Sequence, residues 1–443
     1  MKKGNKRRKF LRQLALGSAG TLGMVGSLSA KSPLILRAND KMFSPNDMIN
    51  VGVIGYGIMG QADAETASKV PGVKITAVCD LYSGRLDLAR RHWGEETFTT
   101  MDYRELIARN DVDAVIIATS DHWHKQISID ALENGKPAYC EKPMVHSVDE
   151  GAAVIEAQRK SGLTYQVGSQ GMSSLGNAKA KKLLEEGAIG QLVYAEGFWA
   201  RNSPWGAWQY EIPEDASTET VDWDAFISNT TERKFDPLRF FRWRNYRDYG
   251  TGVTGDLFVH LFSSLHFVTG SKGPTKIQAT GGLRYWKDGR EVPDVMLGMF
   301  DYPETDAHPG FNLSLRVNFV DGSRNETYFR LVGSKGSMDV GWREVNLKTY
   351  ESYDPEAALP GHEDRRSKYK PMSSDQSYEA SSDYLGAHYA HLENFFVGVR
   401  ESKKVTEDAV FGFRAAAPAL LCNDSYYSKE IIEWDPDKMK VIG

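Results

Sequence analysis

Short apolar runs alternate with helix-like segments in the first third of the chain. Four of these runs predict buried strands, at residues 49–54, 73–79, 114–118 and 137–140. The segment 126–134 predicts a helix between the last two strands, because a glycine turn follows it. Strands and helices that alternate in this order are typical of a doubly wound parallel sheet, whose ligands bind beyond the carboxyl ends of the strands.

The pattern of apolar positions changes in the second half. Alternating apolar residues at 311–319 and 327–332 predict antiparallel strands, and Asp321-Gly322 between them predicts a hairpin turn. Residues 351–382 are polar and rich in serine, proline and acidic residues, which predicts a long surface loop. The sequence therefore predicts a parallel α/β part followed by a part built on a different kind of sheet.

The N-terminus has the pattern of an export signal. A basic run containing Arg7 and Arg8 precedes a mildly apolar, glycine-rich stretch at 14–28, and small residues follow. Paired arginines in this position are typical of the twin-arginine type of signal. A membrane anchor is the alternative, but the stretch is short against the ~20 strongly apolar residues that a span needs. We expect residues 1–30 to be a signal peptide and 31–48 a polar linker, so that the mature protein is periplasmic or otherwise exported, without stable membrane insertion.

Composition narrows the class of protein. A chain of 443 residues exceeds what one hydrophobic core usually serves, so two domains are expected. The net charge is -5 and the one dense basic run is N-terminal, so no nucleic-acid partner is indicated. The three cysteines, Cys79, Cys140 and Cys422, are odd in number and widely spaced. They indicate neither a disulfide framework nor a metal site.

A glycine-rich turn joins the first predicted strand to a helix and has the spacing G-x-G-x-x-G. In that context the glycines allow a tight turn and a close approach of the backbone to a pyrophosphate. Asp80 ends the next strand, 20 residues after the last glycine, where an acid accepts hydrogen bonds from ribose hydroxyls and repels a 2′-phosphate. We therefore predict NAD as cofactor, with NADP as the alternative because Arg85 lies nearby. The turn itself consists of Gly55, Tyr56, Gly57, Ile58, Met59 and Gly60.

Four further polar residues follow the predicted strands at the same edge of the sheet. Thr119 and His124 come after the third strand, and Glu141 and Lys142 come after the fourth. We expect all four at the cofactor site. Lys142 can hold or take the proton of an alcohol while hydride leaves the neighbouring carbon. The alternative is an ordinary surface lysine before the turn at Pro143.

These motifs, with Gly255-Asp256-x-x-x-His260, resemble those of the Gfo/Idh/MocA oxidoreductases over residue 49 to the C-terminus. The resemblance implies a Rossmann domain at 49–170 and an α/β domain at 171–443. The second domain would carry a large, mostly antiparallel open sheet, often used for oligomer contacts. A homo-oligomer, a dimer or tetramer, is therefore expected.

The family's catalytic lysine, aspartate and histidine correspond here to Lys142, Asp256 and His260. By this analogy His260 accepts the proton, while Lys142 and Asp256 hold the substrate hydroxyl. The four-residue spacing would place Asp256 and His260 on one face of a helix. Two departures limit the analogy: Ser263 stands where members often have aspartate, and the segment 166–170 lacks an arginine that they often have there.

An aromatic stretch between the two halves contains five of the ten tryptophans, at positions 199, 205, 208, 223 and 243. Aromatic faces bordered by charged groups suit a sugar ring, or an acidic sugar if the arginines bind a carboxylate. Core packing is the favoured interpretation for Trp223. For Trp205 and Trp208, core packing and sugar binding are equally favoured. The predicted substrate contacts are Trp199, Arg201, Trp205, Trp208, Arg242 and Arg244.

Together these features predict an exported NAD(P)-dependent oxidoreductase that acts on a secondary hydroxyl of a sugar or glycoside with a tightly held cofactor. One alternative is a glycosidase of the same fold that oxidises its substrate transiently, eliminates and restores the hydride. A second alternative is a sugar-binding protein without catalysis. The retained Lys142 favours plain oxidoreduction over the first alternative, and the intact motifs disfavour the second.

Overall fold

The computed structural model of the chain describes residues 33–37, 48–321, 327–350 and 373–442. The predicted signal peptide, most of the predicted linker, Gly322 of the predicted hairpin and residues 351–372 of the predicted loop lie outside these ranges.

The helices and strands of the described residues follow the chain in this order. The strands are β1 Leu34–Leu36, β2 Ile49–Ile54, β3 Val73–Cys79, β4 Phe98–Thr100, β5 Ala114–Ile117, β6 Ala138–Glu141, β7 Tyr165–Gly168, β8 Leu192–Ala200, β9 Lys276–Gly282, β10 Val295–Tyr302, β11 Phe311–Asn318, β12 Thr327–Gly333, β13 Gly336–Val340, β14 Glu344–Tyr350, β15 Ser373–Ala380, β16 Ile432–Asp435 and β17 Lys440–Val441. The α-helices are α1 Ile58–Ser68, α2 Ser83–Trp93, α3 Tyr103–Ile107, α4 His124–Glu133, α5 Gly151–Ser161, α6 Leu175–Glu185, α7 Trp223–Ile227, α8 Pro237–Phe241, α9 Val259–Thr269, α10 Ala387–Glu401 and α11 Ala409–Ser428.

The first half forms a six-stranded sheet in the order β4-β3-β2-β5-β6-β7, and every neighbouring pair is parallel. Its central strands are apolar on both faces because helices cover both sides. The predicted parallel α/β architecture is confirmed. Helix α4 begins at His124, two residues before the predicted start, and β6 extends through Glu141.

The second half forms an eleven-stranded sheet in the order β1-β15-β14-β13-β12-β8-β11-β10-β9-β16-β17. Its pairs are antiparallel apart from β1 with β15 and β8 with β11, so the expected mostly antiparallel sheet is confirmed. Strand β10 alternates between the two faces: Met296 and Phe300 are buried, while Leu297 and Met299 are exposed. One face therefore packs against helices such as α11, and the other faces outward.

Strand β15 lies inside the segment that was predicted as a loop. The loop prediction is therefore wrong for residues 373–380. These residues pair with β14 through their backbones, and the buried Tyr378 and Ala380 fix the inward face. A polar edge strand of this kind lacks the apolar alternation by which strands are recognised. Strand β1 pairs with β15 from within the predicted linker.

Helix α10 returns from the second half to the first sheet. Its Leu392, Phe395 and Phe396 are fully buried and join the core formed by β2, β3 and Tyr139. The C-terminal part of the chain thus completes the layer over one face of the Rossmann sheet. No helix within the described ranges is long and apolar enough to cross a membrane.

Candidate active site

A cavity of about 850 Å³ opens at the carboxyl ends of β2, β3, β5 and β6. It lies where the sequence predicts ligands, because parallel strands end at one edge of a sheet. The predicted residues that line it are Gly55, Gly57, Ile58, Met59, Asp80, Thr119, Glu141, Lys142, Arg201, Trp208, Arg244, Asp256 and His260.

Each of the three glycines of the turn is needed for a different physical reason. Gly55 has φ +87°, and a side chain there would lie 2.6 Å from the Ala118 carbonyl oxygen. A Cβ on Gly60 would lie 1.9 Å from the Gly55 carbonyl oxygen, so this glycine lets α1 approach the turn closely. A Cβ on Gly57 would meet nothing closer than 3.8 Å, and the side chain of Arg85 is its nearest neighbour. Gly57 therefore keeps the N-terminus of α1 open, which fits the pyrophosphate of a dinucleotide.

Asp80 fixes the shape of this site from the end of β3. Its carboxylate accepts hydrogen bonds from the backbone N–H groups of Tyr56, at 2.7 Å, and Tyr82, at 2.9 Å. Arg85 Nη1 lies 3.3 Å from the same carboxylate. Asp80 thus holds the glycine turn and the start of α2 together at the cavity wall, while Arg85 stands beside it.

Lys142 follows β6 immediately, and its side chain is 9% exposed. Its Nζ lies 2.7 Å from Asp256 Oδ1 and donates a second hydrogen bond, of 3.0 Å, to the Asp256 carbonyl oxygen. Arg244 Nε donates to the same carboxylate oxygen over 3.2 Å. The alternative of an ordinary surface lysine is therefore wrong.

The Asp256 carboxylate stays ionised between these two cations. Burial alone would raise its pKa, but Lys142 and Arg244 outweigh burial and hold the pKa well below its usual range. One carboxylate between two cations leaves a net positive charge at the cavity wall. Such a charge stabilises an oxygen that becomes negative as it loses its proton.

His260 supplies a neutral base beside this cluster. Burial, with Lys142 adding to it, lowers the pKa of His260 well below its usual value, so the ring is uncharged. The ring stacks on Trp199 with centroids 5.3 Å apart, and Nδ1 is buried without a hydrogen-bond partner among the described residues. The chain reaches His260 through a π-helical turn, Thr254–Phe258, which differs from the regular helix predicted there. The cavity nevertheless receives both Asp256 and His260.

Two family models match the chain along most of its length. Residues 49–169 match an oxidoreductase family with an NAD-binding Rossmann fold, and residues 181–432 match the C-terminal α/β domain of that family. The chain belongs to the Gfo/Idh/MocA oxidoreductase family. Its first domain is the NAD-binding Rossmann domain of that family, and the glycine turn described above fits that cofactor.

Individual relatives match only part of this Gfo/Idh/MocA protein. An inositol 2-dehydrogenase of Salmonella paratyphi B is 32% identical over 170 residues, 38% of this chain and 49% of the relative. A glycosyl hydrolase family 109 protein of Shewanella baltica is 28% identical over 217 residues, 45% of this chain and 47% of the relative. The chain thus spans about half the length of the curated relatives it matches. A levoglucosan dehydrogenase solved with NADH and L-sorbose shares the fold, with TM-score 0.65 and 20% identity over 87% of this chain and 98% of that one.

Several predicted contacts lie away from the main cavity. His124 is buried, with Nδ1 2.7 Å from the Pro143 carbonyl oxygen and Nε2 3.2 Å from that of Thr119, so it ties two loops together in place of contacting cofactor. Arg242 donates to the Tyr210 carbonyl oxygen at 2.7 Å and supports a loop. These two predicted ligand contacts are corrected. Backbone carbonyl groups take up both ring nitrogens of His124, and the Tyr210 carbonyl oxygen and the Gln209 side chain take up the guanidinium of Arg242.

Four other predicted contacts also do not line the main cavity, and they form two pairs. Tyr56 and Gly60 are buried in the turn and do not line the cavity. Trp199 and Trp205 line a second, adjoining cavity. Trp223 is buried in a cluster with α7 and α8 and donates to the Arg233 carbonyl oxygen, so the favoured core interpretation is confirmed.

Sequence reasoning missed Gln170, which lines the cavity and donates to Glu141 Oε1 over 2.5 Å. Burial and the neighbouring Asp63 raise the pKa of Glu141 to about 8, so this carboxyl group holds a proton near neutral pH. Gln170 follows the end of β7, and its place at a strand end was the signal that could have found it. Among the described residues, no group of three or more His, Cys, Asp or Glu side chains could hold a metal ion.

Proposed function

We propose that the protein transfers hydride between a secondary hydroxyl of a sugar or glycoside and NAD. The observation that carries this proposal is the ion pair of Lys142 with Asp256 beside the neutral His260, in the wall of the cavity that the glycine turn also lines. The inositol 2-dehydrogenase relative and the levoglucosan dehydrogenase neighbour support a polyhydroxylated substrate.

The roles of the three residues follow from their contacts. When bound, NAD supplies the acceptor for the hydride. Lys142 and Asp256 hold the hydroxyl that is oxidised, and the positive charge of the cluster favours loss of its proton. His260 takes that proton, because it is uncharged and its ring lies in the same cavity. Arg244 keeps Asp256 ionised and in place.

A glycosidase mechanism is the second candidate, and the glycosyl hydrolase family 109 relative is the observation that favours it. Such an enzyme would use the same hydride transfer, followed by elimination of the leaving group and return of the hydride. The ion-paired Lys142 favours plain oxidoreduction, since we expect the relatives that work as glycosidases often to lack that lysine. The two candidates differ in their products: a ketone with reduced cofactor, or a cleaved glycoside with the cofactor unchanged.

We also propose export through a twin-arginine signal at residues 1–30, on the sequence pattern alone. Because nicotinamide cofactor is scarce outside the cytoplasm, the cofactor would be retained and recycled by a second substrate. A homo-oligomer formed through the open sheet is supported by exposed apolar side chains on its outward face, including Leu297 and Met299. Light scattering of the purified protein tests the oligomer, and a monomer at micromolar concentration would rule it out.

The function is tested with a panel of free sugars and glycosides. Purified protein is incubated with each compound, nicotinamide absorbance is followed, and products are identified by mass. Reduced cofactor together with a product two hydrogens lighter than the substrate supports oxidoreduction. Cleaved glycoside without net reduction supports the glycosidase. Absence of both with every compound, in protein shown to be loaded with NAD, would contradict the proposal.

A further inference from the structure

A second cavity, of about 460 Å³, adjoins the catalytic one. Arg201, Trp208 and Tyr210 line both cavities, so the two share these side chains as a common wall. Trp199 lines the second cavity and stacks on His260, which lines the first. The second cavity is therefore separated from His260 by a single indole ring. Its volume is of the size that small-molecule sites have in proteins.

The loop that forms the second cavity is held from several sides. Arg242 donates to the Tyr210 carbonyl oxygen at 2.7 Å, and Arg290 Nη2 donates to that of Ala207 at 3.0 Å. Trp208 has φ +64°, a conformation that a bulky residue adopts only where its surroundings enforce it. Conformations of this kind are concentrated at ligand sites. The loop is thus fixed in shape before any ligand binds.

The walls of this cavity combine an aromatic face with a charged side chain. The Trp205 side chain is 69% exposed beside the cavity, although burial would be favourable for so large an apolar group. Arg201 is exposed and also lines the cavity. An aromatic face beside a guanidinium, whose N–H groups can all donate, suits a sugar ring with its hydroxyl oxygens.

We propose that the second cavity binds a second sugar ring, joined to the one that is oxidised, so that the substrate is a disaccharide or a larger glycoside. This inference rests on the proposed function. The C–H face of the second ring stacks on Trp205, and its hydroxyl oxygens accept hydrogen bonds from the Arg201 guanidinium. Arg201 lies between the two rings, since it lines both cavities.

The test compares matched substrates that differ only in the group beyond the oxidised ring. The pairs are methyl β-glucoside with cellobiose, methyl α-glucoside with maltose, and methyl β-galactoside with lactose, each with the phenyl glycoside as a third member. The readout is the ratio of kcat/KM for the disaccharide to kcat/KM for the methyl glycoside. Wild type should show a ratio of about tenfold or more in at least one pair, equivalent to the stacking of one ring.

Trp205→Ala should reduce that ratio about tenfold. Leu385→Ala is the matched control, because Leu385 is 71% exposed and lines neither cavity. It should leave the ratio unchanged. Melting temperatures of both variants check that the fold is retained.

Each outcome decides the proposal. A ratio near one in every pair of the panel overturns the second sugar site and leaves the proposed function standing. A preference for the phenyl glycoside over the disaccharide overturns the sugar assignment in favour of an aromatic group. If no compound is oxidised, the proposed function fails, and calorimetric titration of the disaccharides decides the site alone. Binding that is lost in Trp205→Ala then supports the site, and absence of binding overturns it.

Discussion

Replacing Lys142 by methionine tests the catalytic cluster, because methionine keeps the apolar stem and removes the charged nitrogen. The variant loses the 2.7 Å contact to Asp256 Oδ1 and the 3.0 Å contact to the Asp256 carbonyl oxygen. Hydride transfer should fall by roughly 10²-fold or more, the usual loss for a positioned acid-base group. That fall corresponds to about 2.7 kcal/mol of lost transition-state stabilisation.

Stability should fall by less than the loss of a whole buried ion pair. Leaving a buried charge without any partner costs about 3–5 kcal/mol. Asp256 keeps Arg244 at 3.2 Å, so part of its compensation remains. We therefore expect a decrease of about 1–3 kcal/mol in the free energy of unfolding. The pKa of Asp256 should also rise, because Lys142, the charge that lowers it most, is gone.

The assay is single-turnover reduction of bound cofactor with a glycoside from the panel, alongside denaturant unfolding. Lys136→Met is the control: its Nζ donates to the carbonyl oxygens of Arg109, at 2.8 Å, and Val112, at 2.7 Å, away from the cavity. This control should lose stability without losing hydride transfer. The double variant Lys142→Met with His260→Ala should lose less than the product of the single losses, because both residues serve one proton. A Lys142→Met rate within about tenfold of wild type would refute the catalytic assignment.

Three further predictions concern the cofactor, pH and export. Asp80→Asn should weaken the binding of NAD relative to that of NADP, because it removes the negative charge beside Arg85. The dissociation constants of the two cofactors check this, and an unchanged ratio of the two would contradict it. Burial raises the pKa of Glu407 from 4.5 to about 8, so the native protein keeps a proton that the unfolded chain releases, and stability is lost as pH rises from about 5 to 8. Glu407→Gln should flatten that decline in melting temperature, and parallel wild-type and variant curves would disprove the explanation. Exchanging Arg7 and Arg8 for lysine should leave folded protein in the cytoplasm on fractionation, whereas an unchanged periplasmic yield would exclude the twin-arginine route.

The Rossmann part of the fold could be predicted because the sequence motifs that indicate it are local. The turn from Gly55 to Gly60 and the strand ends at Asp80 and Glu141 depend on residues close together in sequence. The parallel sheet then places them at one edge without further information. The same rule brought Lys142 to the cavity wall, and the family resemblance supplied its partners, Asp256 and His260.

What could not be predicted depends on contacts between distant segments. Arg242 supports the loop at Tyr210, and His124 bonds to backbone carbonyl oxygens. Both residues are nevertheless close in sequence to predicted site residues that do line the cavity. The strand at 373–380 forms because its backbone pairs with β14, which a polar side-chain pattern does not reveal. Likewise, α10 covers the first sheet from nearly the other end of the chain.

The most direct test of the central claim follows a labelled hydrogen. The protein, loaded with NAD, is incubated with a substrate from the panel deuterated at its ring carbons, and cofactor and sugar are analysed by mass. We predict deuterium on the reduced cofactor and a ketone formed at the carbon that lost it, with both signals reduced by roughly 10²-fold in rate in Lys142→Met. Substrate that is converted while the cofactor gains no deuterium at any time, or a Lys142→Met variant that labels it as fast as wild type, would contradict the account.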